Sequence, residues 1–469
     1  MSIGIADIAV YLPRARLERS TIAAAHAWAV PGLKGRGKGQ IAAANWDEDS
    51  VTLAHAAARR LSGDITGLQF CSTSMPFADR SHASLLVEAL QLDPTTATQD
   101  SGASARAGTS ALLCALRSGQ QNAVVVAAEK RLAKPASEQE IGQGDAGVAV
   151  HCGEPALAEF IDGDTLATDF VDHYRAADSD FDYAFEARWV RDEGYLADLP
   201  AMIPQLLSRN DLEAGDVAQF VINAPARVRA RIAKQAGLSN AATDSAVDGQ
   251  VGDAGCAAPL LMLAEALGRA ADGDLLIVGG FGQGVDLMLL RATARRPTAF
   301  ADALAAGASD DNYLRYLSHR GLLQMDWGKR AERDVRTAQS AYYRARDQVS
   351  GFVGGRCTAC GTVQYPRTRA CVNPDCRTFD TQVPHPFADL TGTVKSFTED
   401  WQAYSPAPPL LYGNITFEGG ANIFMQFTDT ASGELGVGDS VSMQFRIKDI
   451  DRNRGFQRYF WKAVPVREH

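Results

Sequence analysis

Two stretches of the chain, "GTSALLCALRSGQQNAVVVAAEK" (residues 108–130) and "GCAAPLLMLAEALGRAADGDLLIVGGFG" (residues 255–282), share one pattern. Each begins in a loop of small residues, continues as a helix with an apolar face, and breaks at polar residues. Each then ends in a continuous apolar run typical of a buried strand. The two stretches lie about 150 residues apart, roughly the size of one α/β unit. The pattern therefore predicts a duplicated α/β fold.

The same alternation of strands and helices extends through about the first 295 residues. "IADIAVYLP" and "ITGLQFCSTS" are predicted strands, and "SVTLAHAAARRLS" and "HASLLVEALQL" are predicted helices. Ser50 is the expected N-cap of the first of these helices. Alternation of this kind predicts an α/β class with helices layered on buried sheets.

Composition and charge narrow the function classes. The chain has 469 residues, of which 46% are hydrophobic and 22% charged, so several globular domains are expected. The net charge of -10 argues against nucleic-acid binding. No long apolar run predicts a membrane span, and the N-terminus "MSIGIADIAVYLPRARL" lacks the basic start of an export signal. We therefore expect a cytoplasmic protein without membrane association.

The character of the chain changes after residue 295. Residues 296–350 are charged, aromatic and mostly helical in pattern, and predict a helical linker. From residue 351 the chain is rich in Gly, Cys and Pro. From about residue 386 it contains short predicted strands separated by turn residues, which indicates a small all-β barrel. These strands are "TGTVKSFTEDW", "LLYGNITFE", "ANIFMQFTD" and "DSVSMQFRIKDI".

Four cysteines in "CTACGTVQYPRTRACVNPDC" predict a metal site. Cys357 and Cys360 form a CxxC knuckle, and Cys371 and Cys376 follow in a slightly wider turn. Four thiolates suit tetrahedral zinc, and they leave no coordination position open for a catalytic water. The alternatives are two disulfides or free thiols, which a reducing cytoplasm makes less favourable. We therefore expect structural zinc.

Residues 1–295 resemble the thiolase superfamily, and within it the archaeal type of hydroxymethylglutaryl-CoA (HMG-CoA) synthase. The resemblance rests on the order and spacing of "IADIAVYLPRARL", "GKGQIAAANWDEDSVTLAHAAARRL", "CSTSMPFADRSHASLLVEAL", "RAGTSALLCAL", "FVINAPARVRARIAKQAG" and "VGDAGCAAPLLMLAEAL". It implies a layered fold built from a duplicated βαβαβαββ unit, with halves at residues 1–160 and 161–295. It also implies a coenzyme A thioester as substrate and a homodimer through this core.

Residues 351–469 resemble the DUF35 family, in which a rubredoxin-like zinc ribbon precedes an OB-fold. This resemblance divides the region into a ribbon at residues 351–385 and an OB-fold at residues 386–469. Members of that family accompany thiolase-like enzymes as partners or fusions. An OB-fold alone would also suit nucleic acid, but the acidic balance of the chain disfavours that reading.

The resemblance to HMG-CoA synthases assigns four catalytic positions, and this chain departs from the family at each of them. The nucleophilic Cys position falls on Ala105, the His position on Asn223, the Asn position on Asp253 and the Glu position on Thr73. An alanine cannot carry an acyl group, because acyl transfer of this type needs a thiolate. Acyl-enzyme catalysis by the family mechanism is therefore not expected.

Several neighbouring residues are candidates for replacement chemistry. Ser104 and Cys256 are candidate displaced nucleophiles, although Ser104 lacks an evident base and a buried cysteine is commonly a packing residue. Arg106 is a candidate ligand for a phosphate or carboxylate. Tyr183 and Arg188 lie in a segment, residues 172–195, that matches the part of the family covering the acyl pocket, and they could supply acid–base or anion-binding groups.

Three functions remain open from the sequence. The first is an aldol or retro-aldol enzyme on acyl-CoA, with Asp253 as base or hydrogen-bond donor and Asn223 stabilising the enolate oxygen. The second is a non-catalytic scaffold subunit for a thiolase-like partner. The third is an acyltransferase or Claisen-type enzyme that uses Ser104 or Cys256 as a displaced nucleophile.

Overall fold

The computed structural model describes residues 2–326 and 338–467, which form two compact units. The first unit contains the described residues of 1–44, 49–84 and 95–313, and the second contains residues 45–48 and 85–94 with the described residues of 314–469. The predicted helical character of residues 327–337 lies outside the described residues. The predicted domain boundaries stay predictions.

The described strands are β1 (Gly4–Tyr11), β2 (Ala15–Glu18), β3 (Gln40–Ala43), β4 (Gly67–Cys71), β5 (Ala97–Ser101), β6 (Ala123–Glu129), β7 (Ala146–Gly153), β8 (Ala158–Ala167), β9 (His173–Tyr174), β10 (Tyr183–Ala184), β11 (Val217–Ile222), β12 (Leu275–Phe281), β13 (Gly284–Ala292), β14 (Ala308–Asp310), β15 (Val353–Cys357), β16 (Val363–Gln364), β17 (Gln382–Pro386), β18 (Gly392–Asp400), β19 (Leu410–Phe417), β20 (Asn422–Gln426), β21 (Ser440–Asp451) and β22 (Phe456–Pro465).

The described α-helices are α1 (Arg19–Ala25), α2 (Ser50–Ala58), α3 (His82–Ala89), α4 (Ala107–Ser118), α5 (Glu138–Gly142), α6 (Ala187–Trp189), α7 (Leu196–Arg209), α8 (Ala226–Gln235), α9 (Val247–Gln250), α10 (Ala258–Arg269), α11 (Ala299–Ala305), α12 (Tyr313–His319), α13 (Gln339–Arg344) and α14 (Arg346–Val349). None of them combines the length and apolar character that a bilayer-spanning segment requires.

A nine-stranded sheet organises the first unit, with the order β11-β12-β13-β8-β1-β7-β6-β4-β5. The order β4-β6-β7-β1 in one half recurs as β11-β12-β13-β8 in the other. In each half the first pair is parallel and the next two pairs are antiparallel. An isolated parallel bridge between Gln219 and Ala242 stands beside β11 where β5 stands beside β4. This repeated order confirms the predicted duplicated α/β fold.

The two small-residue loops that begin α4 and α10 approach each other closely. A Cβ atom added to Gly108 would lie only 2.5 Å from the backbone oxygen of Cys256. Leu112 of α4 and Leu260 of α10 are fully buried in one apolar cluster. The shared small residues therefore allow the loops to pack together, which is the physical reason for the sequence pattern.

The N-cap prediction for α2 is wrong by one residue. The cap is Asp49, whose carboxylate accepts a hydrogen bond from the Thr52 backbone while the Thr52 hydroxyl accepts one from the Asp49 backbone. Ser50 is instead the first helical residue, and its hydroxyl donates to the backbone oxygen of Ser74. Asp49 completes a reciprocal capping box, whereas Ser50 has no matching partner three residues later.

The second unit contains a three-stranded sheet, β16-β15-β17, and a five-stranded antiparallel sheet, β20-β19-β18-β21-β22. A parallel bridge between Phe427 and Ala463 joins the two ends of the larger sheet. This gives the partly open five-stranded barrel of an OB-fold and confirms that prediction. The sequence pattern anticipated β18 to β21 but not β22, in which aromatic and basic residues interrupt the simple alternation.

Candidate functional site

Ala105 lies in the loop between β5 and α4. The residue is only 7% exposed, and its methyl group offers no reactive atom. The loop includes Ala103 with a positive φ of 66°. The neighbouring Ser104 hydroxyl donates to the backbone oxygen of Gly282 at 2.7 Å and accepts from the backbone nitrogen of Arg106 at 3.2 Å. The Ser104 proton is therefore held by a carbonyl rather than by a base.

Arg106 has a buried carboxylate partner. Its Nη1 atom lies 2.9 Å from Oδ1 of Asp286, and its Nε donates to the backbone oxygen of Gly282 at 3.1 Å. Asp286 also accepts hydrogen bonds from Ser110 and Thr165, so it is well satisfied in the interior. This geometry joins the nucleophile-position loop to β13. The assignment of Arg106 to substrate binding stays a prediction.

Thr73 follows the carboxyl end of β4 and is tied to Glu129 at the end of β6. The Thr73 backbone nitrogen and hydroxyl both donate to Oε1 of Glu129 at 2.9 Å. Ser72, Ser74 and the backbone nitrogen of Cys256 also donate to this fully buried carboxylate. Glu129 thus fixes the Thr73 loop and the Cys256 loop together. The sequence signal that could have identified Glu129 is a charged residue at the end of the apolar run "AVVVAAE".

Asn223 follows the carboxyl end of β11 and is clamped to the backbone of Phe281. Its Nδ2 donates to the Phe281 oxygen at 3.0 Å, and its Oδ1 accepts from the Phe281 nitrogen at 2.8 Å. The Tyr195 hydroxyl donates to the Asn223 backbone oxygen at 3.2 Å. An amide carries two N–H groups, so one Nδ2 hydrogen remains after the clamp is made.

Asp253 forms an ion pair with Arg131 and keeps part of its side chain exposed to solvent. Its Oδ2 lies 2.8 Å from Nη2 of Arg131, and its Oδ1 accepts from the backbone nitrogen of Gly255 at 2.9 Å. The Asp253 side chain keeps 56% of its accessible surface, whereas that of Arg131 keeps 9%. Burial among protein atoms favours the neutral acid, but Arg131 and the Gly255 hydrogen bond lower the pKa of Asp253 below its usual value. Asp253 is therefore an ionised acceptor.

A histidine that the sequence pattern did not single out lies within electrostatic range of Asp253 and Arg131. His173 of β9 shares a hydrogen bond of 2.9 Å between its Nδ1 and Oδ2 of Asp172. Electrostatic interactions connect His173 with Asp253, Arg131 and Asp182. The hydrogen bond to Asp172 raises the pKa of His173 above its ordinary value, although burial opposes that shift. The "DH" pair in a polar segment was the available signal.

The two site residues predicted from residues 172–195 are exposed at the protein surface. Tyr183 of β10 is 58% exposed, and its ring centroid lies 5.5 Å from that of Tyr174. Arg188 is exposed in α6 and interacts electrostatically with Asp192. Their predicted roles in acid–base chemistry and substrate binding stay predictions.

Cys256 lies in the loop before α10 with no exposed surface. Its Sγ donates to the backbone oxygen of Cys71 at 3.4 Å. Burial, followed by the negative charge of Glu129, raises the pKa of the Cys256 thiol well above its usual range. A thiol in this environment is a weak nucleophile at neutral pH.

The four ribbon cysteines converge as their spacing predicts. All four Sγ atoms of Cys357, Cys360, Cys371 and Cys376 lie within 4.8 Å of one another. The Cys357–Cys376 and Cys360–Cys371 sulfur distances are 3.9 and 3.6 Å. Tetrahedral zinc with bonds of about 2.3 Å requires sulfur separations of roughly 3.8 Å. The cysteines are free thiols rather than disulfides, and they fit zinc.

Comparison with known proteins agrees with this architecture. Residues 348–382 match the model of the ChsH2 rubredoxin-like zinc ribbon domain. The chain is 26% identical to an HMG-CoA synthase of Caldivirga maquilingensis over 70% of this chain and 100% of that protein. The chain is thus similar to HMG-CoA synthases over most of its length, a part that we call the HMG-CoA synthase-like core, and residues 348–382 are similar to the ChsH2 zinc ribbon domain.

Solved structures extend the likeness of the HMG-CoA synthase-like core. A structure of an HMG-CoA synthase complexed with CoA matches with a TM-score of 0.60 at 16% identity, covering 72% of this chain and 95% of that one. The FabH 3-oxoacyl-(acyl carrier protein) synthase III of Pseudomonas aeruginosa PAO1 matches with a TM-score of 0.56 at 20% identity, covering 63% and 100%. At these identities the likeness establishes the fold.

Proposed function

We propose that the HMG-CoA synthase-like core cleaves or forms a carbon–carbon bond in acyl-CoA thioesters by aldol chemistry, without a cysteine acyl-enzyme. One observation carries the proposal. The buried methyl group of Ala105 stands at the position matched to the family nucleophile, while the same unit holds the Asp253–Arg131 ion pair, whose carboxylate side chain keeps 56% of its accessible surface. Aldol chemistry needs a proton acceptor and stabilisation of an enolate, and it needs no covalent intermediate.

In the cleavage direction, the β-hydroxyl of a β-hydroxyacyl-CoA loses its proton to a base. The Cα–Cβ bond then breaks, Cβ becomes a carbonyl, and the bonding electrons form a thioester enolate. The remaining Nδ2 hydrogen of Asn223 is the proposed donor to the enolate oxygen. Reprotonation at Cα gives the shorter acyl-CoA, so the atoms balance without a further reactant. Asp253 is the acceptor proposed from its position in the sequence.

The test uses β-hydroxybutyryl-CoA and the full-length protein. The proposal expects acetaldehyde and acetyl-CoA as products, measured by liquid chromatography with mass spectrometry. The intact protein mass after incubation with acetyl-CoA should be unchanged. A stable acetyl adduct on the protein would instead support an acyltransferase that uses Ser104 or Cys256. Absence of acetaldehyde at every pH assayed would count against the aldol proposal.

A scaffold role is the second candidate. Hydrogen bonds to the backbone oxygens of Phe281 and Gly282 are made by the side chains of Ser104, Arg106 and Asn223. Such contacts are expected of residues whose role is structural. This candidate expects no turnover but stable association with another thiolase-like chain. Size-exclusion chromatography of the mixed proteins separates it from the enzyme proposal, and the same measurement on the chain alone tests the proposed homodimer.

We further propose that Cys357, Cys360, Cys371 and Cys376 hold a structural zinc ion. The four sulfurs would fill its coordination sphere, so the ion would stabilise the ribbon and take no part in chemistry on the acyl-CoA.

A further inference from the structure

The strongest unassigned group in the first unit is the Asp172–His173 pair. We propose that His173 is the proton-transfer residue of the core: it takes the β-hydroxyl proton in cleavage and returns it to Cα of the enolate. This inference rests on the proposed function and deepens it. It assigns the acid–base step to a residue outside the four family positions and leaves Asp253 to orient and balance charge.

The hydrogen bond to Asp172 fixes the tautomer of His173. A carboxylate only accepts, so Nδ1 of the imidazole carries the shared proton, and in the neutral ring Nε2 is then the basic atom. Across residues 2–326 and 338–467, no protein group is hydrogen-bonded to that Nε2. The His173 side chain keeps 25% of its accessible surface. His173 is therefore oriented by one nitrogen and available to a ligand through the other.

Backbone contacts of the β9–β10 hairpin and of the adjacent Arg175 hold the segment that carries His173. The strands pair Ala184 with His173, and the Phe185 nitrogen donates to the Asp172 oxygen at 2.9 Å. Arg175, two residues after His173, donates from Nη2 to the Thr73 backbone oxygen at 2.9 Å. Arg175, just beyond β9, thus anchors the segment that carries His173 to the Thr73 loop.

The charged groups around His173 support a proton-transfer role. Asp172 is its hydrogen-bond partner, and Arg131, Asp182 and Asp253 interact with it through space. Oδ1 of Asp172 is buried and has no hydrogen-bond partner within the described chain, so the carboxylate is committed to the imidazole through Oδ2 alone. Asp253 is already held in an ion pair with Arg131. His173 is hydrogen-bonded through Nδ1, and within the described residues its Nε2 has no protein partner, so the proton is assigned to His173.

Tyr195 lies between the Asp172–His173 pair and Asn223 in a chain of interactions. The negative charges of both Asp172 and Asp253 act on the buried Tyr195 hydroxyl, and burial is the largest influence that raises its pKa. That hydroxyl is bonded to the backbone of Asn223. The Asp172–His173 pair and Asn223 therefore lie around one tyrosine, Tyr195.

The test compares wild type, His173→Gln, Asp172→Asn and the control His385→Gln in full-length protein with β-hydroxybutyryl-CoA. His385 lies in β17 of the second unit. His173→Gln should lower kcat/KM for cleavage by about 10²-fold to 10⁴-fold, the usual contribution of a general base, with little change in KM. His385→Gln should behave as wild type. Circular dichroism confirms that each variant is folded.

The pH profile separates proton transfer from a structural role. Because the neutral imidazole is the base, wild-type cleavage should rise with pH through the pKa of His173. Asp172 raises that pKa, so Asp172→Asn should move the rising limb to lower pH. His173→Gln should abolish this limb. A His173→Gln variant that keeps the wild-type rate and the same limb overturns the assignment.

A second readout distinguishes this inference from the aldol proposal. Wild-type protein in D₂O should exchange the α-hydrogens of acetyl-CoA, followed by mass spectrometry, and His173→Gln should not. Exchange that depends on His173 without cleavage of β-hydroxybutyryl-CoA would sink the aldol proposal and leave the assignment of His173 standing. Wild-type protein that neither cleaves nor exchanges overturns both.

Discussion

Asp253 is a charged residue whose side chain is exposed to solvent although its ion-pair partner, Arg131, is nearly buried. Its pKa is lowered in the fold, so the pair's contribution to stability is complete above the ordinary carboxyl pKa. That contribution is lost as pH falls through the lowered value. Asp253 is therefore ionised throughout the neutral range and contributes no titration there.

The substitution Asp253→Asn should slow cleavage of β-hydroxybutyryl-CoA severely, because the neutral amide leaves the positive charge of Arg131 unbalanced near the proposed base His173. Loss of a group in the acid–base apparatus costs about 10²-fold to 10⁴-fold in rate. The exposed Asp272→Asn is the matched control and should match wild type. Steady-state kinetics provide the measurement, and unchanged turnover in Asp253→Asn would exclude a role for this carboxylate.

Glu129 is a second residue whose role depends on its neighbours. The substitution Glu129→Gln places an amide among donors that already point at this position, including two from Thr73. Leaving buried donors unsatisfied costs about 1–3 kcal/mol, so the free energy of unfolding should fall by that amount. Urea denaturation measures it. Glu138→Gln, which alters only the exposed ion pair with Arg36, should change stability by less than about 1 kcal/mol.

At the scale of elements, loop–strand junctions determine which side chains meet. Thr73 and Glu129 follow or close the parallel strands β4 and β6, and Asn223 and Phe281 follow or close β11 and β12. Open α/β sheets bind ligands at the carboxyl ends of such strands. In the zinc ribbon, short turns near β15 and β16 bring the four cysteine thiols together.

Loss of the proposed zinc ion should lower the stability of the ribbon. The substitution Cys376→Ser removes one of four ligands and should abolish stoichiometric zinc measured by atomic spectroscopy. The melting temperature should fall as well, because metal binding contributes directly to the stability of small zinc domains. Cys114→Ser, at an exposed helical cysteine, is the control and should retain the metal. Full zinc content in Cys376→Ser would contradict a four-thiolate site.

At the scale of the whole molecule, the compact units do not follow the order of the chain. Residues 45–48 belong to the second unit, where Asp47 and Lys462 form a buried ion pair of 2.8 Å. Glu48 lies 3.0 Å from Arg446, which also pairs with Asp429. The second unit therefore depends on a segment far away in sequence for two of its buried carboxylates.

Breaking the Asp47–Lys462 pair should destabilise the protein strongly. Burial lowers the pKa of Lys462 while Asp47 supports its charged form, so Lys462→Met would leave the buried Asp47 without its ion-pair partner, although the charge of Arg446 still acts on it. The cost of such a one-sided loss is about 3–5 kcal/mol, and the double variant with Asp47→Leu should recover part of it. Thermal unfolding of the three variants tests this. Additive losses in the double variant would indicate that the two side chains are not coupled.

The sequence by itself determined the duplicated α/β core, the OB-fold and the four-cysteine ribbon. Their signals are periodicity and ligand spacing, which depend on residues close together in the chain. It also identified Ala105 as a position without a nucleophile. Only the tertiary structure decided which candidates are already bonded: Ser104 and Asn223 to the backbone around Phe281, and Arg106 to Asp286. The tertiary structure also places His173 within electrostatic range of Asp253. The sequence could not show this, because contacts between distant segments arise only when the strands are assembled.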